Sequence, residues 1–164
     1  MSPVSIRVAH RAALFALLSL VALAFASVPS EAEMRRESLS LVTAAGERKI
    51  DIEVARTPDE QTLGLMFRTA LPDTSGMLFP YGPARELTMW MKNTYIPLDM
   101  VFIRADGTIH RIEAMTEPFS EATVASQGPV TSVLELNGGA AARLGLKAGD
   151  TVRHAVFGNA ARVK

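Results

Sequence analysis

A tight hairpin near the middle of the chain is the sequence feature that most constrains the fold. Residues 100–104 (MVFIR) and 108–113 (TIHRIE) have the composition of strands, and Asp106 and Gly107 lie between them. An Asp-Gly pair tolerates the positive φ angles of a tight turn. The pattern therefore predicts two neighbouring antiparallel strands.

Other segments predict further strands. Ile50, Ile52 and Val54 alternate with charged residues, which is the period of a strand with one buried and one solvated face. Three more strands are predicted, at residues 76–79, 130–136 and 151–157.

Two short helices are expected between the strands. Thr57 can cap the first helix, Pro58 suits its first turn, and Glu60 can complete a capping box. Its predicted core-facing stripe, at positions i, i+3 and i+4, consists of Leu63, Met66 and Phe67.

The second helix is predicted to begin after Asn137, as its cap, and to end at Gly145. Short strands with two brief helices and no βαβ alternation predict an α+β fold that is mainly antiparallel β. We expect a small curled sheet or a partly open barrel that carries the two helices.

The first 26 residues have the organisation of a signal peptide. Arg7 and Arg11 precede an apolar run over residues 12–26, which ends in Ala-Phe-Ala. A membrane-spanning helix needs about 20 apolar residues. The run is shorter, so we predict cleavage after Ala26; the alternative is an uncleaved anchor.

Four segments follow from this organisation: a signal peptide at 1–26, a flexible tether at 27–38, a single β-rich domain at 39–157 and a loose tail at 158–164. The predicted location is periplasmic or extracellular, with membrane attachment only through the signal segment if it is retained. We expect a monomer.

Charge and cysteine content exclude several functions. The chain has 17 basic and 17 acidic residues, and removal of residues 1–26 takes away two arginines and no acid. Without a strong positive field, nucleic acid is not an expected partner. The chain has no cysteine, which excludes disulfides and thiolate chemistry. The expected partner is an unidentified small molecule or protein.

Four segments carry a resemblance to a known family: PDEQTLGLMFR, SGMLF, MWMKNTYIPLDMVFI and SVLELNGGAAARLGLKAGD. In order and spacing they resemble the domain of unknown function 192 family, over roughly residues 47–155. The resemblance implies a small exported or archaeal single-domain protein with a compact β-rich fold. It implies no reaction and no ligand.

The segment 89–99 (MWMKNTYIPLD) is the best candidate for a ligand-binding edge. Lys92 and Asn93 come where a strand ends, and Ile96 is forced into an extended conformation by Pro97. Their side chains are therefore expected at a rim, where binding residues are common. Asn93 also fits a purely structural role as a turn residue.

The residues predicted to form a binding site are Arg68, Trp90, Lys92, Asn93, Asp99 and Glu135. If the charged members converge, they form a polar pocket near residues 90–99 for an anionic or zwitterionic molecule, since a guanidinium binds carboxylates bidentately. The alternative is a set of separate structural pairs, such as a Lys92–Asp99 salt bridge worth about 0 to 1 kcal/mol.

Enzymatic activity is left undecided, and no catalytic residue is assigned. Asp99 and Glu135 could be the acid and base of a periplasmic enzyme, which requires a separation of about 5 to 10 Å. Ser126 lacks the strand–turn–helix motif of a nucleophile, and its surroundings predict a turn.

Metal binding is a further alternative. The thioethers of Met89 and Met91, on one face of a strand, could hold a cuprous ion, but methionines more often fill a core. His110 and His154 are interpreted as core residues bonded to a backbone carbonyl. The other possibility, a two-histidine site completed by Glu135 or Asp99, has no local support. The sequence thus predicts neither a metal site nor a cofactor.

Overall fold

Alternating apolar residues build a seven-stranded sheet. The computed structural model describes residues 34–160; the predicted signal peptide and its cleavage site lie outside them. The sheet contains β1 (Arg36–Thr43), β2 (Gly46–Val54), β3 (Ser75–Arg85), β5 (Leu98–Ile103), β6 (Ile109–Thr116), β8 (Val130–Asn137) and β9 (Thr151–Arg153). The short strands β4 (Thr88–Met89) and β7 (Val124–Ala125) form a separate pair.

The strand order is β6-β5-β8-β3-β2-β1-β9, and only the β2–β3 pair is parallel. The sheet curls until its two edges approach each other. Thr108, directly before β6, forms an isolated bridge with Thr151 of β9. No continuous ladder closes it into a barrel within the described residues. The α+β prediction, with a mainly antiparallel curled sheet and two short helices, is confirmed.

Two apolar clusters lie on opposite faces of the sheet, because side chains alternate along each strand. The α2-side cluster, named for the helix α2 (Ala140–Leu144), includes Leu39, Leu41, Ile50, Ile52, Val54, Leu134, Leu136, Ala140 and Ala141. The pocket-side cluster includes Leu65, Met77, Phe79, Met91, Leu98, Met100, Phe102 and Val133. Both faces of the central strands are therefore buried.

The helix α1 (Pro58–Leu63) begins as its sequence predicts. Thr57 Oγ1 accepts a hydrogen bond from the Glu60 N–H at 3.2 Å, and Glu60 Oε2 accepts one from the Thr57 N–H at 2.8 Å. This reciprocal pairing is the predicted capping box.

The helix ends earlier than predicted, so the expected stripe of three core residues is wrong. Gly64 adopts a φ of 48°, which breaks the helical period, and Leu65 fills the core instead. Phe67 has a φ of 63° and is 55% exposed. A Cβ on Gly64 would lie 3.2 Å from the Phe79 ring, so this close packing also favours glycine.

The helix α2 (Ala140–Leu144) ends at Gly145 as predicted, in a left-handed conformation. Its predicted cap is wrong: Asn137 is the last residue of β8, and Gly139 occupies the cap position without a side chain of its own. The carboxylate of Asp99, on strand β5, takes the place of a local cap.

Several boundaries also differ from the predictions. The strand β1 begins at Arg36, so the tether assigned to residues 27–38 is too long at its end. The last strand stops at Arg153, and a 3-10 helix (Ala155–Phe157) follows. Asn159, in the tail predicted to be loose, accepts the His154 N–H at 3.0 Å and donates to the Val152 carbonyl at 3.0 Å.

Between residues 34 and 160, the helices are too short and too polar for any of them to cross a membrane.

Candidate functional site

A small solvent-open cavity lies between the end of α1 and the segment that contains Trp90. Its volume is about 30 Å³. Residues 61–66 form one wall, and Met89, Trp90, Lys92 and Thr94 contribute another part of the lining. Phe79 and Glu135 complete it from the sheet. The cavity thus brings together three of the predicted site residues: Trp90, Lys92 and Glu135.

Glu135 is the buried acidic residue of this cavity. It lies on β8 opposite Met77 of β3 and Met100 of β5, on the face of the pocket-side cluster, and is 4% exposed. Within residues 34–160, no group donates a hydrogen bond to its carboxylate or forms an ion pair with it. Burial raises the pKa of Glu135 from its ordinary value of 4.5 to about 8. The carboxyl is therefore mostly protonated at neutral pH.

Trp90 and Lys92 stand at the mouth of the cavity. The indole is 45% exposed, and the Lys92 ammonium lies over it, with Nζ 5.1 Å from the ring centroid. This arrangement is a cation–π contact. Of these two residues, Lys92 is the one that the sequence predicts at a rim.

Asn93 lies beside the cavity without lining it. It adopts a φ of 54°, and its carbonyl accepts the Phe67 N–H at 2.9 Å. Its side-chain amide lies 3.9 Å from the Met66 sulfur. These contacts fit the structural interpretation of Asn93 as a turn residue.

Asp99 is also buried, but on the opposite face of the sheet. The pairing places Asp99 beside Leu136, whereas its neighbour Met100 lies beside Glu135. Asp99 Oδ1 accepts the N–H groups of Met115 and Gly139, each at 2.9 Å. Its Oδ2 accepts the Ala141 N–H at 2.8 Å.

Asp99 therefore caps α2 from a neighbouring strand. The alternative Lys92–Asp99 salt bridge does not form. Asp99 and Glu135 do not share a cleft, so the structure does not assemble the acid–base pair considered from the sequence.

Arg68 belongs to a different cavity, so its predicted convergence with Lys92 and Glu135 is wrong. Its guanidinium forms a bidentate pair with Glu53, with N–O distances of 2.9 and 2.6 Å. That cavity has a volume of about 210 Å³ and is also lined by Arg36 and Asp51.

The methionine sulfurs of the rim segment have hydroxyl partners. Met89 Sδ accepts from the Tyr81 hydroxyl at 3.5 Å. Met91 Sδ lies 3.1 Å from Thr116 Oγ1, whose single proton is shared with the Leu98 carbonyl at 2.8 Å. Met91 is fully buried in the pocket-side cluster. These contacts favour packing over cuprous ion binding.

The two histidines match their predicted setting in part. His110 is partly exposed rather than buried; its Nδ1 lies 2.8 Å from Arg104, and its Nε2 lies 3.4 Å from the Gln127 carbonyl, a backbone partner as predicted. His154 is buried, but its Nε2 lies 3.0 Å from Glu37 and its Nδ1 accepts the Val156 N–H. Burial is the main cause that lowers the pKa of His154. Among residues 34–160, no three potential His or carboxylate ligands cluster around a metal position.

Ser126 is a structural residue. Its hydroxyl accepts the Leu87 N–H at 3.0 Å and donates to the Gly128 carbonyl at 2.7 Å. The side chain is fully buried, as expected for a turn rather than for a nucleophile.

An exposed aromatic cluster next to the rim was missed in the sequence. The rings of Phe67 and Tyr95 have centroids 6.1 Å apart, and those of Tyr95 and Phe119 are 5.3 Å apart. Phe119 has a φ of 62°, and its N–H donates to the Thr94 carbonyl. No local pattern marks these positions, because positive φ is unusual for aromatic residues.

The fold and this cavity define a class of small α+β domains with a curled mixed sheet. The model of the domain of unknown function 192 family, described as uncharacterized ACR, matches residues 40–154, and the chain belongs to this family. No curated protein is similar enough to this chain to count as a match.

Two solved structures are similar to the chain. The first is a protein of Sinorhizobium meliloti 1021, described as a candidate transcription regulator, with 44% identity and a TM-score of 0.75 over 77% of this chain and 99% of that one. The second is a protein of unknown function from Novosphingobium aromaticivorans DSM 12444, with 41% identity and a TM-score of 0.73 over 78% of this chain and 91% of that one.

Proposed function

We propose that this protein is an exported binding domain that takes part of a small molecule into the cavity beside Glu135. The observation that carries the proposal is the buried Glu135 carboxyl, which lines a solvent-open cavity and has no partner among residues 34–160. Buried polar groups nearly always have a hydrogen-bonding partner. Water can reach the Glu135 carboxyl through the open cavity, since among residues 34–160 only Ser132 Oγ is both sealed from solvent and without a partner. A ligand group would replace that water as the partner of Glu135.

The size of the cavity limits what can enter. Typical ligand pockets measure about 300 to 1,000 Å³. The cavity here measures about 30 Å³, so a ligand places only a small terminal group beside Glu135. The remainder of the ligand then lies at the mouth, against the exposed indole of Trp90.

The chain contains a single tryptophan, which provides a direct readout. We expect ligands from a panel of amines, alcohols, carboxylates and sugars to change the emission of Trp90. Glu135→Gln should abolish the response, whereas Arg68→Ala, which changes the other cavity, should retain it. If no compound alters the emission or the titration of Glu135, the binding proposal is wrong.

Export is proposed from the first 26 residues. N-terminal sequencing of protein from the producing cell should begin at Ser27, in a soluble extracytoplasmic fraction. A protein that retains its first residues and sediments with membranes would instead support an anchor. We propose no nucleic-acid role, because the 17 basic and 17 acidic residues provide no strong positive field.

A further inference from the structure

We infer that the group bound beside Glu135 is a primary alkyl ammonium, so that the ligand is an amine on an unbranched chain. This inference rests on the proposed binding function and names the chemical class of its ligand.

Once it is ionised, the Glu135 carboxylate favours a cation in the cavity. An ionised carboxylate only accepts hydrogen bonds, and an ammonium offers three donors. Among the lining residues, Glu135 is the only acid and Lys92 the only base.

The size of the cavity favours a terminal ammonium over larger or more demanding cations. A cavity needs a volume of about 10 to 15 Å³ to hold one water molecule. The cavity volume of about 30 Å³ therefore accepts roughly two water-sized groups. An ammonium and its adjacent methylene have this size. Calcium and magnesium require about six or more oxygen ligands, and the lining contains one carboxylate.

The mouth of the cavity already holds an ammonium. The Lys92 ammonium lies on the indole of Trp90, and no ion pair joins it to Glu135 within 4.0 Å among the described residues. The indole face is therefore suited to a cation that approaches Glu135. A ligand ammonium would meet repulsion from Lys92, and Lys92→Ala should strengthen amine binding by about threefold, as expected for a partly exposed like charge.

Binding should also release a proton. The pKa of Glu135 is raised to about 8, so at pH 7 the carboxyl must ionise before it pairs with an ammonium. Affinity for the amine should rise by about tenfold from pH 6 to 7 and by about fivefold from pH 7 to 8, and level off at higher pH until the amine itself deprotonates.

The test uses n-butylamine, n-butanol and butyrate as matched probes, with calorimetry at pH 7 in two buffers of different ionisation enthalpy. We expect n-butylamine alone to bind, with release of about one proton. Glu135→Gln should abolish binding, Lys92→Ala should strengthen it, and Arg68→Ala should leave it unchanged.

Three results would overturn the inference in distinguishable ways. If n-butanol or butyrate binds wild type and n-butylamine does not, the ligand class is wrong and the cavity remains a binding site. If n-butylamine binds Glu135→Gln as tightly as wild type, or without proton release, the amine does not pair with Glu135. If neither these probes nor the wider panel perturbs Trp90 or Glu135, the proposed function fails as well.

Discussion

Two buried carboxylates on adjacent strands have opposite surroundings. Asp99 accepts three backbone N–H groups, from Met115, Gly139 and Ala141. Glu135 lies on the adjacent strand, directly before the residue that pairs with Asp99. It receives no hydrogen bond from residues 34–160, and it lines a cavity. Burial alone therefore does not reveal the role of a carboxylate. The saturated group joins distant parts of the chain, and the other one lines the cavity that we propose as a binding site.

The largest expected effect tests the saturated side of this comparison. Asp99→Ala leaves three N–H groups without their acceptor and should lower the free energy of unfolding by about 3 to 5 kcal/mol. Urea denaturation at pH 7, followed by far-ultraviolet circular dichroism, measures the loss. Asp99→Asn retains one carbonyl oxygen and should lose less. A loss below about 1 kcal/mol for the alanine variant would contradict the capping role.

The next effect tests the unsatisfied side through pH. The pKa of Glu135 is about 8 in the folded state and near 4.5 when unfolded. Between these values the folded state keeps a proton that the unfolded state releases, so the stability present below pH 4.5 is lost as pH rises to about 8.

Glu135→Gln removes this titration. At pH 9 the variant should be more stable than wild type by about 2 to 4 kcal/mol, and near pH 4.5 the two should be similar. Urea denaturation of both proteins at both pH values gives the difference in their free energies of unfolding. Titrating groups other than Glu135 are shared by the two proteins, so their contributions cancel. Parallel pH profiles for the two proteins would show that Glu135 is ionised without penalty.

The smallest effect uses a third carboxylate, which is paired but partly exposed. Arg68→Ala removes the bidentate partner of Glu53, whose side chain is 17% exposed. Water can then solvate Glu53, so the loss should be about 0 to 1 kcal/mol. The same denaturation measurement applies. If Arg68→Ala lost as much stability as Asp99→Ala, the partly exposed Glu53 would depend on its partner as strongly as the buried Asp99 does, and the comparison would fail.

Local signals in the sequence were sufficient for much of the fold. The Asp106–Gly107 turn and the alternation at Ile50 act over a few residues, and both are confirmed. The orientation of Glu135, away from Leu134 and Leu136, also follows from strand alternation alone.

The partners of the site residues were not predictable in the same way. Asp99 accepts a hydrogen bond from Gly139, the cap residue of α2, which lies 40 residues later in the chain, and so takes the role expected of Asn137. Phe67 has the spacing of a core residue, but the positive φ of Gly64 ends the helix first. Such contacts depend on how the strands pair, which no short pattern specifies.

The pairing of β1 with β9 has a consequence for biosynthesis. Leu41 near one end of the domain pairs with Val152 near the other, so the sheet is completed only after the whole domain has been synthesised. Such long-range contacts slow folding. A prematurely terminated chain would leave the edge of β1 open to pairing with other chains, which makes truncated products of this protein prone to aggregation.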